Sequence, residues 1–248
     1  MRRLAILKTG DSFADVISHH GDFDALFLAA LSSPGTTPPS TELTIDIIDV
    51  RDPDVALPSV EAIDGVMITG SHAMVSDREA WSEALKPWLC EARARQLPMF
   101  GVCYGHQLMA AAFGGDSGYH PDGRECGTHS VRLTEAARGD ELFGELPPHF
   151  GAHLTHSQSV LALPAATTVL AANDHDPHQA LRYGPRQWSV QFHPEFTPAV
   201  MRTYLEHQRD ALDVQGDDVA RLLAGVNATP VATSLLARFV ELVVAVKP

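Results

Sequence analysis

The chain has 248 residues and 45% of them are hydrophobic, which is enough to bury the core of one α/β domain. Its 18 basic and 31 acidic residues leave a net charge of −13, which argues against sequence-independent binding to nucleic acid phosphates or to an anionic membrane. No apolar run is as long as a membrane span or a signal-peptide core, so we expect a cytoplasmic protein.

The predicted elements alternate between strands and helices through the first half of the chain. Strands are predicted at 4–7, 43–50, 65–69 and 98–100, and helices at 22–31 and 81–95, the latter with a kink or break at Pro87. Such alternation implies right-handed crossovers and a doubly wound, mostly parallel sheet with helices on both faces. The predicted fold class is therefore α/β, with ligands bound at the carboxyl ends of the strands.

The pattern changes after the glycine pair at 114–115. Short strand-like segments at 130–133, 167–171, 179–183 and 187–192 predict a small antiparallel extension. Near the end of the chain apolar residues recur at helical spacing, so residues 210–248 are expected to form a C-terminal helical extension of a single domain spanning 1–248. We expect these helices to cover the core; a homodimer face or a docking surface for a partner protein is the alternative.

The segment Gly101-Val102-Cys103-Tyr104-Gly105-His106-Gln107 joins the strand at 98–100 to a helical pattern. Small residues on both sides of Cys103 suit a strained turn that lifts one side chain clear of the sheet. A helix that begins at this turn adds free N–H groups and a positive dipole end, both of which favour the thiolate. Cys103 is therefore predicted to be a nucleophile, although a buried inert thiol would give the same local pattern.

A second motif, His193-Pro194-Glu195, follows a predicted strand far along the chain. Pro194 keeps His193 out of the helical region, so the segment stays extended and the side chains of His193 and Glu195 project to the same side. A carboxylate fixes the tautomer of the imidazole, which can then take the thiol proton and return it to a leaving amine. Alone the triplet would indicate a surface turn, but with the cysteine motif it predicts the base of a nucleophilic site.

These two motifs resemble the catalytic triad of the class I (triad) glutamine amidotransferases, and the likeness extends from about residue 4 to about residue 209. The stand-alone members similar to GMP synthetase and the plant γ-glutamyl peptidases are the most similar in pattern. The resemblance implies a flavodoxin-like fold and a cysteine that attacks the side-chain amide of glutamine, releases ammonia and forms a γ-glutamyl thioester that water hydrolyses. It implies that Cys103 is the nucleophile, His193 the general base and acid, and Glu195 the orienting group.

Acyl transfer also needs hydrogen-bond donors aimed at the developing oxyanion. One predicted donor is the N–H of Tyr104, directly after the nucleophile. The second is expected after the strand at 65–69, where the family has a glycine-rich turn, often with two adjacent glycines. This chain has Gly70-Ser71 there, so we predict the N–H of Ser71, with Gly70 supplying the turn. An ordinary strand-terminating glycine is the alternative.

The resemblance also implies substrate contacts. Gln107 lies one helical turn after Cys103 on the same face and matches a glutamine that contacts the substrate in the family. The segment 154–160, with Ser157 and Gln158, is similar to one that holds the α-amino and α-carboxylate groups of glutamine through backbone groups. Glu125, within Arg124-Glu125-Cys126-Gly127, is predicted to be a structural hydrogen-bonding residue.

The remaining cysteines and histidines are expected to be bystanders. Three cysteines without paired spacing suit reduced thiols, with Cys90 on a helix and Cys126 in a turn. His149, His153 and His156 have ligand-like spacing, but the neighbouring prolines and glycine argue against a helix that would align them. We therefore predict a histidine-rich loop, another loop at residues 19–20, and neither a metal nor another cofactor.

Three functional hypotheses follow from the sequence. The first is a glutaminase that passes ammonia to an acceptor-activating synthetase partner, since the chain shows no glycine-rich nucleotide loop of its own. The second is an independent γ-glutamyl hydrolase or peptidase, which Gly70-Ser71 and the absence of a second domain slightly favour. The third is a non-catalytic binding module, which the intact Cys103, His193 and Glu195 disfavour.

Overall fold

A computed structural model describes residues 1–32 and 43–245, which form a nine-stranded sheet and a separate two-stranded sheet. The strands are β1 (Arg2–Lys8), β2 (Leu43–Asp49), β3 (Gly65–Ile68), β4 (Met99–Val102), β5 (Asp116–Tyr119), β6 (Glu125–Leu133), β7 (His149–His156), β8 (Gln158–Ala162), β9 (Thr168–Ala172), β10 (Ala180–Gly184) and β11 (Gln187–Val190). The helices are α1 (Ala14–His20), α2 (Phe23–Leu31), α3 (Ala80–Ala94), α4 (Tyr104–Ala112), α5 (Pro198–His207), α6 (Arg209–Gln215), α7 (Val219–Ala224) and α8 (Pro230–Ala245).

The large sheet has a parallel half and an antiparallel half, in the order β2-β1-β3-β4-β11-β10-β9-β6-β7. The pairs from β2 to β11 are parallel, and those from β11 to β7 are antiparallel. Strands β5 and β8 pair separately and antiparallel. The predicted α/β class, a flavodoxin-like doubly wound sheet with an antiparallel extension, is confirmed. The antiparallel part is larger than predicted, because the extension also contains β7 and because β5 and β8 form a further, separate antiparallel pair.

Helices cover both faces of the parallel half, which explains why its central strands β3 and β4 contain only apolar residues and glycine. Alternate residues of β1 enter different hydrophobic clusters: Leu4 and Ile6 pack with α2 and α8, whereas Ala5 and Leu7 pack with α3 and α4. Every residue of β3 and β4 is buried. Helix α8 is thus part of the core, as expected for the C-terminal helices. No helix in the described part of the chain is both long and apolar enough to cross a bilayer.

Of the kink or break predicted at Pro87, the break is wrong, because helix α3 runs through this residue without interruption. Pro87 lies on the exposed face, where water can bond the carbonyl that the missing N–H leaves free. The opposite face is anchored by buried Leu85 and Leu89. Packing of this apolar face outweighs the local cost of the proline.

Two predicted loops are regular elements in the structure. The histidine pair at 19–20 forms the last turn of α1, and His149, His153 and His156 lie on β7. Strand β7 pairs along its whole length with β6, which also contains Cys126, predicted in a turn. That pairing is a long-range contact, which the local glycine and histidine content could not indicate. Burial raises the pKa of the Cys126 thiol to about 12.

Candidate active site

The candidate site lies at the carboxyl ends of β3, β4 and β11, and Cys103 occupies the turn between β4 and α4. Its backbone adopts φ 49° and ψ −98°. Non-glycine residues rarely have such positive φ angles, and a conformation of this kind costs about 1–3 kcal/mol. Two hydrogen bonds hold the turn: Cys103 N–H donates to the carbonyl of Val190 at 2.8 Å, and Gly105 N–H donates to that of Thr69 at 3.2 Å. The turn therefore depends on the neighbours of β4 on both sides.

His193 and Glu195 lie just beyond the end of β11. Nδ1 of the imidazole and Oε1 of the carboxylate are 2.7 Å apart, and both side chains are buried. The imidazole ring stacks on Phe196 with the ring centroids 4.1 Å apart. Nε2 of His193 has no hydrogen-bond partner among the described residues. Because the carboxylate engages Nδ1, Nε2 is the nitrogen that can exchange a proton with another group.

Cys103 and His193 flank the same glycine. A Cβ atom on Gly70 would lie 2.9 Å from Cε1 of His193 and 3.7 Å from Cβ of Cys103, so a side chain at this position would collide with the imidazole. Burial lowers the pKa of His193, but the negative charges of Glu195 and Cys103 outweigh it and raise this pKa above its ordinary value. The structure thus brings Cys103, His193 and Glu195 together in surroundings that favour an imidazolium ion.

Two buried threonine hydroxyls hold the peptide group between Gly70 and Ser71. Oγ1 of Thr9 and Oγ1 of Thr69 each donate to the carbonyl of Gly70 at 3.0 Å. The carbonyl and the N–H of a trans peptide point in opposite directions, so this clamp aims the N–H of Ser71 away from the threonines. No residue in the described part of the chain accepts a backbone hydrogen bond from that N–H. The Ser71 hydroxyl is engaged elsewhere, because it accepts a bond from Ala73 N–H at 3.1 Å.

Tyr104 begins α4, and its N–H belongs to the first turn, where helical N–H groups have no intrahelical acceptor. No backbone acceptor for it is found within residues 1–32 and 43–245. The phenol of Tyr104 is held separately by a 2.7 Å bond to Ser82, and burial raises its pKa to about 12. The two predicted oxyanion donors, the N–H groups of Tyr104 and Ser71, are therefore both unengaged by the backbone.

A cavity of about 220 Å³ opens beside Cys103. Its lining contains no aspartate or glutamate among the described residues, and Arg124 is its one arginine or lysine. Most of the predicted site residues border this cavity, namely Cys103, His193, Tyr104, Ser71, Gln107, Ser157 and Gln158. Glu195 lies behind His193, and Gly70 lies between His193 and Cys103. The structure therefore gathers all nine predicted site residues around one space.

The predicted substrate contacts form one wall of the cavity. Nε2 of Gln107 donates to the backbone carbonyl of Gln158 at 2.6 Å and to Oε1 of Gln191 at 3.0 Å. The side chain of Gln158 reaches away from Gln107 and donates to Oγ of Ser76 at 2.5 Å. The carbonyl of Ser157 accepts a bond from His120 N–H at 2.9 Å. These bonds fix the wall before any ligand binds.

The opposite wall is aromatic. The rings of Phe13 and His72 have centroids 4.2 Å apart, and Nε2 of His72 lies 3.2 Å from the hydroxyl of Tyr204. Burial, reinforced by the positive charge of His193, lowers the pKa of His72 to about 4, so this imidazole is neutral at pH 7. The ring of Phe23 approaches Gly70 closely, since a Cβ atom there would lie 3.4 Å from Cε1 of Phe23. An uncharged surface therefore faces the nucleophile from this side.

Glu125 lies in a buried network next to the cavity. Its carboxylate accepts bonds from His156 at 3.1 Å, Asn173 at 2.6 Å and Gln179 at 3.0 Å. Burial disfavours the charged form, but the bond and charge of His156 outweigh it and hold the pKa of Glu125 below its usual value. The network ties the start of β6 to the end of β7 and to the segment after β9. Glu125 does not line the cavity beside Cys103.

Sequence reasoning missed three residues of the site: Thr9, Thr69 and Arg124. The two threonines come from different strand ends and act together only because β1 and β3 are neighbours in the sheet. Their position at the carboxyl ends of predicted parallel strands was the available signal. Arg124 was noted within a motif, but nothing local indicates that its side chain borders the same cavity as Cys103.

Comparison with known proteins gives a consistent family. The model of the class-I glutamine amidotransferase family matches residues 39–209. A glutamine-hydrolyzing GMP synthase subunit from Archaeoglobus fulgidus is 30% identical over 73% of this chain and 87% of that protein. Gamma-glutamyl peptidase 5 of Arabidopsis thaliana is 27% identical over 62% of each chain. Other relatives are matched over less of their length: 60% of a Saccharomyces cerevisiae protein and 20% of the Xanthomonas campestris GMP synthase.

The crystal structure of a glutamine amidotransferase from Thermotoga maritima superposes with a TM-score of 0.72 at 17% identity, covering 99% of both chains. At this identity the likeness concerns the fold. It extends over the antiparallel half of the sheet and the C-terminal helices as well as over the segment that the family model matches.

Proposed function

The chain belongs to the class-I glutamine amidotransferase family, and from this premise we propose that it is a glutaminase that hydrolyses the side-chain amide of glutamine. The observation that carries this proposal is the strained turn at Cys103, opposed by the His193–Glu195 pair across Gly70. This arrangement supplies a nucleophile, a base and an orienting carboxylate at one edge of a cavity. The unengaged N–H groups of Tyr104 and Ser71 would supply the oxyanion site.

In the proposed first half-reaction, the thiolate of Cys103 attacks the γ-carbonyl carbon of glutamine. The carbonyl oxygen becomes an oxyanion that accepts hydrogen bonds from Tyr104 and Ser71. The imidazolium of His193 then donates its Nε2 proton to the amide nitrogen, the C–N bond breaks, and ammonia leaves. Cys103 is left as a γ-glutamyl thioester, and His193 is left as a neutral imidazole.

In the second half-reaction, His193 takes a proton from a water molecule that attacks the thioester carbon. The resulting oxyanion uses the same two donors. Its collapse breaks the C–S bond, releases glutamate, and restores the thiolate and the imidazolium. Glu195 keeps the proton on Nδ1 throughout and stabilises the charged ring, as the 2.7 Å bond between them requires.

The experiment that tests this proposal is a single-turnover reaction of the purified protein with glutamine, quenched in acid. We expect one glutamyl group bound through the peptide that contains Cys103, together with one equivalent of ammonia, measured by mass spectrometry and an ammonia assay. If the protein forms no adduct, and releases no glutamate from glutamine or from γ-glutamyl peptides, it is a binding module and the proposal is wrong.

The aromatic wall favours a second candidate function, a stand-alone γ-glutamyl peptidase or hydrolase. Ammonia needs no subsite, whereas Phe13, Phe23 and His72 offer an uncharged surface beside His193 for a larger leaving amine. The γ-glutamyl peptidase relative supports this candidate. A γ-glutamyl peptide with an aromatic second residue would then be hydrolysed faster than glutamine, without any added protein. Faster turnover of glutamine would favour the glutaminase.

The GMP synthase relative from Archaeoglobus fulgidus, itself one subunit of an enzyme, supports a protein partner for the glutaminase. We propose that such a partner is a synthetase that activates an ammonia acceptor. A glutaminase of this kind is expected to be slow alone and to accelerate when the partner and its nucleotide are added. A rate that no added synthetase changes would contradict the partnership while leaving the glutaminase chemistry intact.

A further inference from the structure

The cavity beside Cys103 carries one fixed positive charge. Among the residues that line this cavity, Arg124 is the one arginine or lysine, and no aspartate or glutamate of the described chain belongs to the lining. These are unusual surroundings in a protein with 31 acidic and 18 basic residues. His72, the imidazole of the aromatic wall, is neutral at pH 7 because burial lowers its pKa to about 4. Apart from the coupled Cys103, His193 and Glu195 side chains, a carboxylate that entered the cavity would therefore meet Arg124 as the one fixed cation and no aspartate or glutamate.

The charge of Arg124 is not neutralised within the protein. No carboxylate in residues 1–32 and 43–245 forms a salt bridge with it. One nitrogen of its guanidinium donates to Oε1 of Gln208, a neutral amide that also lines the cavity. A guanidinium has five N–H donors in a planar fork that matches the two oxygens of a carboxylate. Arg124 thus keeps both charge and donors for a ligand.

Helix α6 and the residue before it hold this arginine in place. Gln208 is buried, and its Nε2 donates to Oγ1 of Thr155 at 2.7 Å, which orients the oxygen that Arg124 contacts. Gln215 clamps the backbone: its Oε1 accepts from Arg124 N–H at 2.8 Å, and its Nε2 donates to the Arg124 carbonyl at 2.8 Å. The preceding Gly123 has φ 85°, and a Cβ atom there would lie 2.6 Å from Oε1 of Gln215. The arginine is therefore positioned before a ligand binds.

We propose that Arg124 binds the α-carboxylate of the glutamyl substrate and so selects substrates that carry this group. The guanidinium would act beside the backbone groups of the segment 154–160, which border the same cavity and which the family resemblance implies for the same end of glutamine. The proposal rests on the function proposed above. Glutamine and every γ-glutamyl amide share the α-carboxylate, whereas only some γ-glutamyl peptides add a second carboxylate on the leaving group. The clamp by Gln208 and Gln215 gives the C-terminal helical extension a part in substrate recognition.

The test compares glutamine with its α-methyl ester, which keeps the γ-amide and loses the carboxylate. The wild-type protein is expected to favour glutamine by about 10–100-fold in kcat/KM, mainly through KM, because hydrogen bonds to a charged group contribute about that much. Arg124→Gln should lose this preference, with kcat/KM for the ester nearly unchanged. Arg124→Lys should restore part of it. Arg138→Gln, at an exposed surface pair with Glu135, is the matched control and should behave as wild type.

Several results would overturn the assignment. An equal loss for glutamine and ester in Arg124→Gln would show that the arginine acts only through the fold. No wild-type preference for glutamine would exclude a carboxylate site. A loss that follows the second carboxylate, seen with γ-glutamylglycine but not with γ-glutamylglycinamide, would place Arg124 on the leaving-group side. Gln215→Ala, which retains the guanidinium but removes the bonds to the Arg124 backbone, should weaken glutamine binding less than Arg124→Gln and leave the ester unaffected.

A binding measurement separates this proposal from the proposed function. Glutamate is expected to bind the wild-type protein. In calorimetry, glutamate should bind Arg124→Gln at least about tenfold more weakly than it binds the wild type, and glutamate α-methyl ester should bind the wild type at least about tenfold more weakly than glutamate does. If the protein releases no glutamate from glutamine or from any γ-glutamyl peptide but binds glutamate through Arg124, the catalytic function fails and the carboxylate site stands. If the wild-type protein hydrolyses glutamine but Arg124→Gln binds glutamate as tightly as the wild type does, the catalytic function stands and the carboxylate site fails.

Discussion

The floor of the cavity and its outer wall are built in different ways. The floor consists of the turns at Gly70–Ser71 and Cys103–Tyr104 and of His193, all at the carboxyl ends of adjacent parallel strands. The outer wall, with Arg124, Thr155 and Gln208, comes from antiparallel strands and from the start of α6. The floor carries the groups that would act on a reacting amide. The wall carries the groups that would choose the molecule bearing it.

This division leads to different expectations for substitutions in the two regions. Changes in the floor should lower kcat, because its groups act on the transition state. Changes in the wall should raise KM, because its groups contact parts of the substrate that do not react. Variants in each region test whether effects on kcat and on KM separate in this way.

The largest effect is expected for Cys103→Ala. Removing the nucleophile should lower glutamine hydrolysis by at least about 10,000-fold, while glutamate still binds because Arg124 and the wall are unchanged. Steady-state ammonia release and calorimetry measure the two quantities. Cys90→Ala, an exposed cysteine on α3, is the control and should keep full activity. If Cys103→Ala still hydrolyses glutamine, the residues of the floor do not carry out the reaction.

Glu195→Gln should have the next largest effect, a fall in kcat/KM of up to about 10,000-fold, because the amide no longer fixes the imidazole tautomer. The negative charge of Glu195 helps to raise the pKa of His193, so this pKa should fall in the variant. The imidazolium is then lost at lower pH, and the alkaline limit of activity should move to lower pH. A pH profile of kcat/KM tests this shift. Glu206→Gln, in an exposed pair with Arg209, should leave the profile unchanged.

Thr9→Val and Thr69→Val should have intermediate effects. Each removes one hydroxyl from the carbonyl of Gly70 and so loosens the N–H of Ser71. Losing an oxyanion donor costs about 100–1,000-fold, so we expect about a tenfold fall in kcat for a donor that is only misaligned, with little change in KM. Thr203→Val is the control, because its hydroxyl bonds only to Ala199 in the same helix. If KM rises and kcat does not fall, the two threonines contribute to substrate binding, as the wall does, and not to catalysis.

The smallest effect concerns stability rather than rate. Burial lowers the pKa of His106 to about 3 and that of His153 to about 4. The unfolded chain, with histidine pKa values near 6.5, therefore binds more protons below about pH 6.5, and the free energy of unfolding should fall as the pH falls toward 4. The pKa of His193 is raised, so the folded protein keeps this residue protonated over that range. It opposes the decrease only near pH 6.5, where the unfolded imidazole is still partly neutral, and this contribution is the same in every variant that retains His193.

Denaturant unfolding of His106→Asn at pH 6.5 and 4.5 checks this prediction. The decrease in unfolding free energy between these pH values should be smaller than in the wild type by roughly 2 kcal/mol. His20→Asn, at an exposed position, should show the wild-type decrease. An unchanged slope in His106→Asn would mean that this imidazole is protonated or hydrated in the folded state.

The floor could be predicted from the sequence because its signals are local. Gly101 to Gln107 and His193 to Glu195 each combine small or extended residues with a reactive side chain inside a few positions. The central parallel strands were also predictable, since β3 and β4 are buried on both faces and contain only apolar residues and glycine. Their neighbouring positions in the sheet then bring the two motifs together.

The wall could not be predicted because its contacts are remote in sequence. Arg124 contacts residues 84 and 91 positions away. One part of the floor, the pair of threonines under Gly70, was missed for the same reason, because Thr9 contacts a residue 60 positions away. Strand β7 contains three histidines and a glycine, whose local preference for a strand is weak, and pairing with β6 decides its conformation. The unbroken helix at Pro87 is a further case in which packing outweighs local preference.

The positive φ of Cys103 links reactivity to the completeness of the sheet. The conformation is held by bonds to Val190 and Thr69, which belong to segments 87 positions after and 34 positions before the cysteine in the printed sequence. A nascent chain emerging from the ribosome would carry this thiol long before β11 existed to hold it. The rate at which Cys103 is alkylated during refolding would therefore report when β11 joins the sheet, and this measurement needs no substrate.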